Sequence, residues 1–281
     1  MRIFVTGNRG QLGQELMRAF PNDEIAGADL PELDITDEAL TRSTVEAARP
    51  DVVIHAAALT DTRRCEDDPD LAQRVNGLGT RNVALACRDS GAALVYVSTN
   101  EVFDGTKREP YVESDQPNPI NAYGRSKLAG EEQAQAIVER LYIVRTAWLH
   151  GGGERDFPSK VLAAASKQPE LTMVTDEIAT PTYDRDLAAA IARLVATGAY
   201  GIYHLTNAGE CSRFDWAREV LRLAGRSDVA LKPTTLAEYK PYPPKPPYTV
   251  LANVAAARLG ITLRPWQTAL ATHFANAPTI T

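Results

Sequence analysis

The sequence predicts an α/β protein: a Rossmann-like, doubly wound parallel sheet followed by a smaller C-terminal substrate-binding part. Short β-branched runs alternate with helix-period stretches through the first half, and a glycine triplet stands at the first strand-to-helix junction. After Trp148 the alternation loosens. Residues 1–150 therefore read as a dinucleotide-binding domain, and 151–281 as a covering part that returns some segments to the sheet.

RIFVTG is the first strand, QLGQELMRAF the helix behind it, and DEIAGAD the second strand. DEALTRSTVEAARP is a helix that Thr36 or Asp37 can cap, leading into the apolar strand DVVIHAAA. LAQRVNGLGTRNVALACRDSG reads as one helix, AALVYVST as a buried strand, SKLAGEEQAQAIVER as a helix and LYIVRTAW as a strand. Strand, helix and strand repeated this way give a parallel sheet covered on both faces by right-handed crossovers. Ligands on such sheets bind beyond the carboxyl ends of the strands, so Thr6, Ala56, Ala57, Ala58, Ser98, Thr99 and Thr146 should share one crevice. Further on, GGGERDF reads as a loop, FPSKVLAAASK as a helix, and TPTYDRDLAAAIARLVATG as a turn and helix opening at Asp184 and Asp186. GIYHLT is another strand, and SRFDWAREVLRLAG a helix between a Ser212 cap and a Gly225 stop. PYPPKPPYTVLAN is too rich in proline for a helix or sheet interior.

Composition narrows the function classes. A net charge of -6 leaves no basic stripe for nucleic acid, yet a glycine loop can still bind phosphate locally. Cys65, Cys87 and Cys211 are scattered, as reduced thiols of a cytoplasmic protein would be, and His55, His150, His204 and His273 lack metal-ligand spacing. No apolar run approaches membrane-spanning length, and a strand begins at the second residue, which leaves no room for a signal peptide.

In VTGNRGQLGQEL, Gly7, Gly10 and Gly13 follow a strand and open a helix. Glycines there allow a tight turn and a close approach of backbone to pyrophosphate, and the helix N-terminus meets the anion. Asn8, Arg9, Gln11 and Leu12 complete the cofactor loop, with Ala56, Ala57, Ala58, Thr60 and Ser98 farther along the strand ends. Asp29 stands about twenty residues past the loop, where a carboxylate accepts from ribose hydroxyls, while Asp34 and Ile35 can flank the adenine. A carboxylate repels a 2'-phosphate, which favours NADH over NADPH, although Arg9 remains within reach of such a phosphate.

Tyr123 and Lys127 lie one helical turn apart in NAYGRSKLAGEE, shortly after Ser98 and Thr99. Behind a dinucleotide loop they supply a phenol to protonate a carbonyl oxygen and an ammonium to bind ribose and stabilise a phenolate. Bringing a phenol from its ordinary pKa of about 10 to neutrality requires about 4 kcal/mol, which one ammonium in a partly desolvated cleft largely provides. Thr99 donates to the same carbonyl oxygen.

These motifs resemble the extended short-chain dehydrogenase/reductases and, more closely, the dTDP-4-dehydrorhamnose reductase family. The likeness runs nearly end to end, through PDVVIHAAALT, VNGLGTRNVA, YVSTNEVFDG, PYVESDQPNPINAYGRSKLAGEE, VRTAWLHG, ATPTYDRDLA and GIYHLTNAG. It implies reduction of dTDP-4-dehydro-L-rhamnose to dTDP-L-rhamnose by NADH or NADPH, with Thr99, Tyr123 and Lys127 as the catalytic set. It also implies that Trp148 packs on the sugar, unless it is a core aromatic, and that the nucleotide meets Phe157, Pro181, Thr182 and Lys245. The expected assembly is a monomer or homodimer.

Three departures qualify the likeness. Asn100 and Glu101 replace the residues usual after Ser-Thr, and Glu101 resembles the base of the sugar-nucleotide dehydratases and epimerases. Asn100 cannot be the acid of such an enzyme, so Glu101 is left to bind sugar hydroxyls or to be a solvated charge. Arg63 and Arg64 resemble a feature of a non-catalytic, dinucleotide-binding regulatory subunit, and Lys245 stands in place of an arginine.

Overall fold

In the computed structural model, which describes residues 1–151, 153 and 156–276, six parallel strands form the central sheet. They are β1 (Arg2–Thr6), β2 (Glu24–Ala28), β3 (Val52–His55), β4 (Ala93–Thr99), β5 (Leu141–Thr146) and β6 (Gly201–His204), in the spatial order β6-β5-β4-β3-β1-β2. The order reverses between β1 and β3, which opens the crevice beside Thr6. Of the predicted loop 151–157, residues 152, 154 and 155 lie outside the described residues.

Alternation along the strands divides the core in two. Ile3, Val5, Val52, Ile54, Val95 and Val144 face helices α1 (Gln11–Leu16) and α6 (Asp184–Thr197), whose Leu16, Leu187, Ile191 and Leu194 are buried. Phe4, Val53, Leu94, Tyr96 and Ile143 face the opposite way, against α2 (Glu38–Ala48), α3 (Gly79–Ser90) and α4 (Ala122–Ile137). Each such side chain contributes roughly 1.5–3 kcal/mol on burial. Asp37 caps α2, accepting from the Leu40 N–H at 2.9 Å. A third cluster lies outside the sheet, where α5 (Phe157–Ala165) and α7 (Arg213–Leu223) pack with Trp216, Trp266 and Leu270. Ser212 opens α7 with a capping box to Asp215.

Two expectations need correction. The predicted helix 71–91 is broken: Gln73–Leu78 is a π-helical stretch before α3. Its cause is tertiary, because Asn76 is buried and its side chain bonds Leu59 and Ser126 instead of facing solvent. The strand predicted through Trp148 stops at Thr146, and Trp148 turns with φ 46° into the short strand Leu149–His150, which pairs with Thr182–Tyr183.

Candidate active site

The carboxyl ends of β1, β3, β4 and β5 open into one cleft of about 550 Å³ that runs from the glycine junction to Trp148 and Arg213. Of the predicted residues it brings together Gly7, Gly10, Gln11, Leu12, Gly13, Ala56, Ala58, Thr60, Ser98, Thr99, Glu101, Tyr123, Lys127, Trp148, Phe157 and Lys245.

At the junction Gly7 has φ +72° and abuts the Ala57 backbone, so a side chain there would strike Ala57 N at 2.7 Å. Gly13 lies against the Gly7 carbonyl, which lets the N-terminus of α1 crowd onto the strand end. Both glycines therefore serve close backbone packing, and with Gly10 and Gln11 they line this end of the cleft. Asn8 packs against Gly27 between the strands, and Ala57 is used in the contact with Gly7, so neither lines the cleft. Asp29, just past β2, accepts the Arg9 N–H at 3.3 Å and the Leu30 N–H at 2.8 Å, and the Arg9 guanidinium turns to Glu32. Thr6, Arg9, Asp29, Asp34 and Ile35 do not line the cleft either. Asp34 accepts from the Thr36 N–H at 2.9 Å, while Ile35 is buried in the core with its side chain against Gly79.

Helix α4, which carries Tyr123 and Lys127, starts at the Asn121 cap, whose side chain accepts the Gly124 N–H at 2.8 Å. It lies unusually close to β4: a side chain at Gly124 would meet the Glu101 carbonyl, and one at Gly130 would meet the Tyr96 hydroxyl. Tyr123 is half-buried at the cleft wall, and Lys127, one turn on, is 3% exposed. Lys127 Nζ donates to the Val97 carbonyl at 2.8 Å and stands 4.1 Å from the Tyr96 ring centroid. Burial pushes its pKa down to about 7, against the opposing pull of Glu131. Burial also raises the Tyr123 phenol, the Glu101 carboxylate adds to this, and Thr99 works the other way. The phenol is thus raised rather than lowered as the spacing predicted, with burial the first cause.

Several positioning groups escaped the sequence reading. Ser98 donates to Glu131 at 2.5 Å, and Glu131 accepts from Arg145 at 2.7 Å in an ion pair with both side chains 2% exposed. A second buried chain runs from Thr6 to His55 (2.7 Å), on to Thr80 (3.1 Å), to the Asn76 carbonyl (2.6 Å), and from the Asn76 side chain to Ser126 on α4 (2.9 Å). His55 is held neutral, with burial and then the Lys127 charge lowering its pKa to about 3. The one signal available was Asn76, a polar residue amid an otherwise buried helix face.

On the far wall Trp148 both packs in the third core and lines the cleft, stacked on Trp216 with an interplanar angle of 4°. Arg213 lies 3.6 Å from its ring centroid and pairs with Glu177 at 3.1 Å. Glu101 is neither free nor solvated. It accepts from Asn121 at 2.7 Å and from Lys245 at 3.1 Å, and Lys245 also donates to Thr62 at 3.2 Å. Asn100 donates to Thr249 at 2.6 Å. Thr182 is wholly buried and donates its N–H to the Trp148 carbonyl at 3.1 Å, so Pro181 and Thr182 stay outside the cleft. Arg63 is exposed on the helix Thr62–Asp67, 3.9 Å from Asp67.

A parallel sheet with a glycine-lined switch point and a threonine, tyrosine and lysine at its mouth defines a Rossmann-type NAD(P)-dependent oxidoreductase. Within that class, the chain belongs to the family described as RmlD substrate binding domain, which matches residues 1–278. It is 39% identical over 280 residues to a dTDP-4-keto-6-deoxy-D-glucose reductase of Streptomyces niveus, covering 97% of this chain and 96% of that one. It is 38% identical to a dTDP-4-dehydrorhamnose reductase of Mycolicibacterium smegmatis, covering 96% of this chain and 84% of the relative. The crystal structure of dTDP-4-dehydrorhamnose reductase from Bacillus anthracis in complex with NADP superposes with a TM-score of 0.94 at 35% identity, covering 98% and 99% of the two chains.

Proposed function

We propose that the protein reduces the 4-keto group of a nucleotide-linked 4-keto-6-deoxy sugar, dTDP-4-dehydro-L-rhamnose, to the alcohol of dTDP-L-rhamnose, with Tyr123 as proton donor. The observation that carries this is the meeting of Thr99, Tyr123 and Lys127 in the cleft that begins at the glycine junction. A bound dihydronicotinamide supplies the hydride. The Thr99 hydroxyl orients the carbonyl oxygen, and Tyr123 protonates it as negative charge develops there. A phenol whose pKa is raised by burial keeps its proton until that moment, the correct resting state for an acid. Lys127, fixed by the Val97 carbonyl, meets the ribose hydroxyls and compensates the phenolate left behind.

Gly7, Gly10 and Gly13 with the N-terminus of α1 hold the pyrophosphate of the cofactor, and Asp29 the adenosine ribose. That carboxylate makes NADH the first cofactor to test, with NADPH second. Residues 151–281 serve mainly the substrate, whose sugar meets Trp148 and whose nucleotide meets Phe157 and Lys245. The engagement of Glu101 by Lys245 and Asn121 speaks against its service as a dehydratase base. The same reading puts the protein in the cytoplasm as a monomer or homodimer; among the described residues no helix is long and apolar enough to cross a membrane.

Mixing the protein with NADH or NADPH and the dTDP-4-keto sugar should consume the reduced cofactor and yield the 6-deoxy sugar nucleotide. An enzyme that binds dinucleotide yet leaves this ketone untouched would refute the substrate assignment.

A further inference from the structure

Glu32, unused in the reading above, sits on the guanidinium that the ribose end of a dinucleotide would meet. Arg9 Nη2 donates to Glu32 Oε1 at 2.7 Å, and Nη1 donates to the Leu30 carbonyl at 3.0 Å. The Arg9 backbone N–H donates to one Asp29 oxygen at 3.3 Å, and the Leu30 N–H to the other at 2.8 Å. Arg9, Asp29 and Glu32 therefore form one cluster at the end of β2, where sheets of this kind read the 2'-position of the adenosine ribose. The Arg9 and Glu32 side chains are 57% and 55% exposed. An ion pair so open to water is weak. A 2'-phosphate brings nearly two charges and three acceptor oxygens, and its geometry matches the guanidinium fork. A cation held by so weak a partner can exchange it for a stronger one.

We propose that Glu32 sets the choice between NADH and NADPH by competing with the 2'-phosphate for Arg9. With NADH the Arg9–Glu32 pair stays closed. With NADPH the phosphate takes the guanidinium, and Glu32 is left beside a second anion, so this carboxylate weakens NADPH binding while sparing NADH. Asp29 adds less repulsion than a free carboxylate would, since both its oxygens face backbone N–H groups. The proposal rests on the dinucleotide site described above.

Fluorescence titration of the full chain with NADH and with NADPH tests it, using wild type, Glu32→Gln and Arg9→Gln. Both side chains are exposed, so neither substitution disturbs the core. Glu32→Gln should raise the NADPH-to-NADH affinity ratio about two- to fivefold. Arg9→Gln should lower that ratio about tenfold or more. An unchanged ratio in Glu32→Gln, or an equal loss for both cofactors in Arg9→Gln, overturns the role of Glu32 while leaving the cofactor site standing. Absence of binding of either dinucleotide to wild type overturns the site itself, and the proposal with it.

Discussion

The two walls of the cleft are built differently. On the catalytic side, Lys127, Ser98, Glu131, Arg145, Asn76 and His55 are nearly inaccessible, and each is tied to a strand end or to a neighbouring helix. On the opposite side, Trp148 and Arg213 stack and Lys245 reaches across to Glu101 at the foot of α4, all four only partly buried. A rigid wall keeps reacting groups within the small tolerances that hydride and proton transfer demand. A wall of half-buried side chains suits a substrate that must enter, be recognised and leave. On the proposed function, the difference separates the reacting groups, held by a buried hydrogen-bond network, from the substrate-facing groups, held by half-buried side chains.

The contrast is broken most severely at the phenol. Tyr123→Phe keeps the ring and removes the acid, so steady-state kinetics should lose roughly 10²–10⁴-fold in kcat with unchanged thermal unfolding. A variant that retained most of its rate would show that another group delivers the proton. Glu131→Gln should instead cost stability, about 3–5 kcal/mol by denaturant unfolding, because it leaves Arg145 charged and buried. A much smaller loss would mean that the catalytic wall is looser than described.

The Lys127 ammonium can be followed by pH. Its pKa is lowered to about 7, so it sheds its proton as pH rises through that value. On the proposed mechanism the charged form serves catalysis, so kcat/KM should fall about tenfold per pH unit above that point, and Lys127→Met should remove the descending limb. Asp184 titrates with the opposite consequence for folding. Burial, first among the causes, raises its pKa to about 7, so the stability it contributes is full below the unfolded value near 4 and is lost as pH rises through 7. Asp184→Asn should therefore stabilise the protein at pH 8 by on the order of 2 kcal/mol and change little at pH 4. Equal shifts at both pH values would count against a neutral buried carboxyl. The smallest effect belongs to the half-buried wall: Lys245→Ala should cost about 1 kcal/mol in kcat/KM, roughly fivefold, mostly through KM. A far larger loss, or one in kcat alone, would move Lys245 to the catalytic side of the contrast.

The same division governs what the sequence discloses. The parallel sheet, the glycine junction and the Tyr123–Lys127 spacing are properties of neighbours in the chain, so periodicity and short motifs reveal them. Asn76 bends its helix into a π turn through partners on other elements, and no local pattern encodes that. Lys245 meets Glu101 across 144 residues, and Arg213 covers Trp148 only because α7 packs beside the turn after β5. Composition places these charges on the chain and is silent on whom they meet. Even where spacing put Lys127 and Tyr123 on one face, it did not disclose that the ammonium would meet the Val97 carbonyl or that burial would raise the phenol.

Gly124 and Gly130 press α4 against the Glu101 carbonyl and the Tyr96 hydroxyl. With only hydrogen between the two elements, the helix has reached its floor, and the place of the Tyr123 ring at the cleft wall is set by atomic radii. A single added methyl at either glycine would lift the helix and carry Tyr123 and Lys127 with it, with Gly7, Gly10 and Gly13 left where they are.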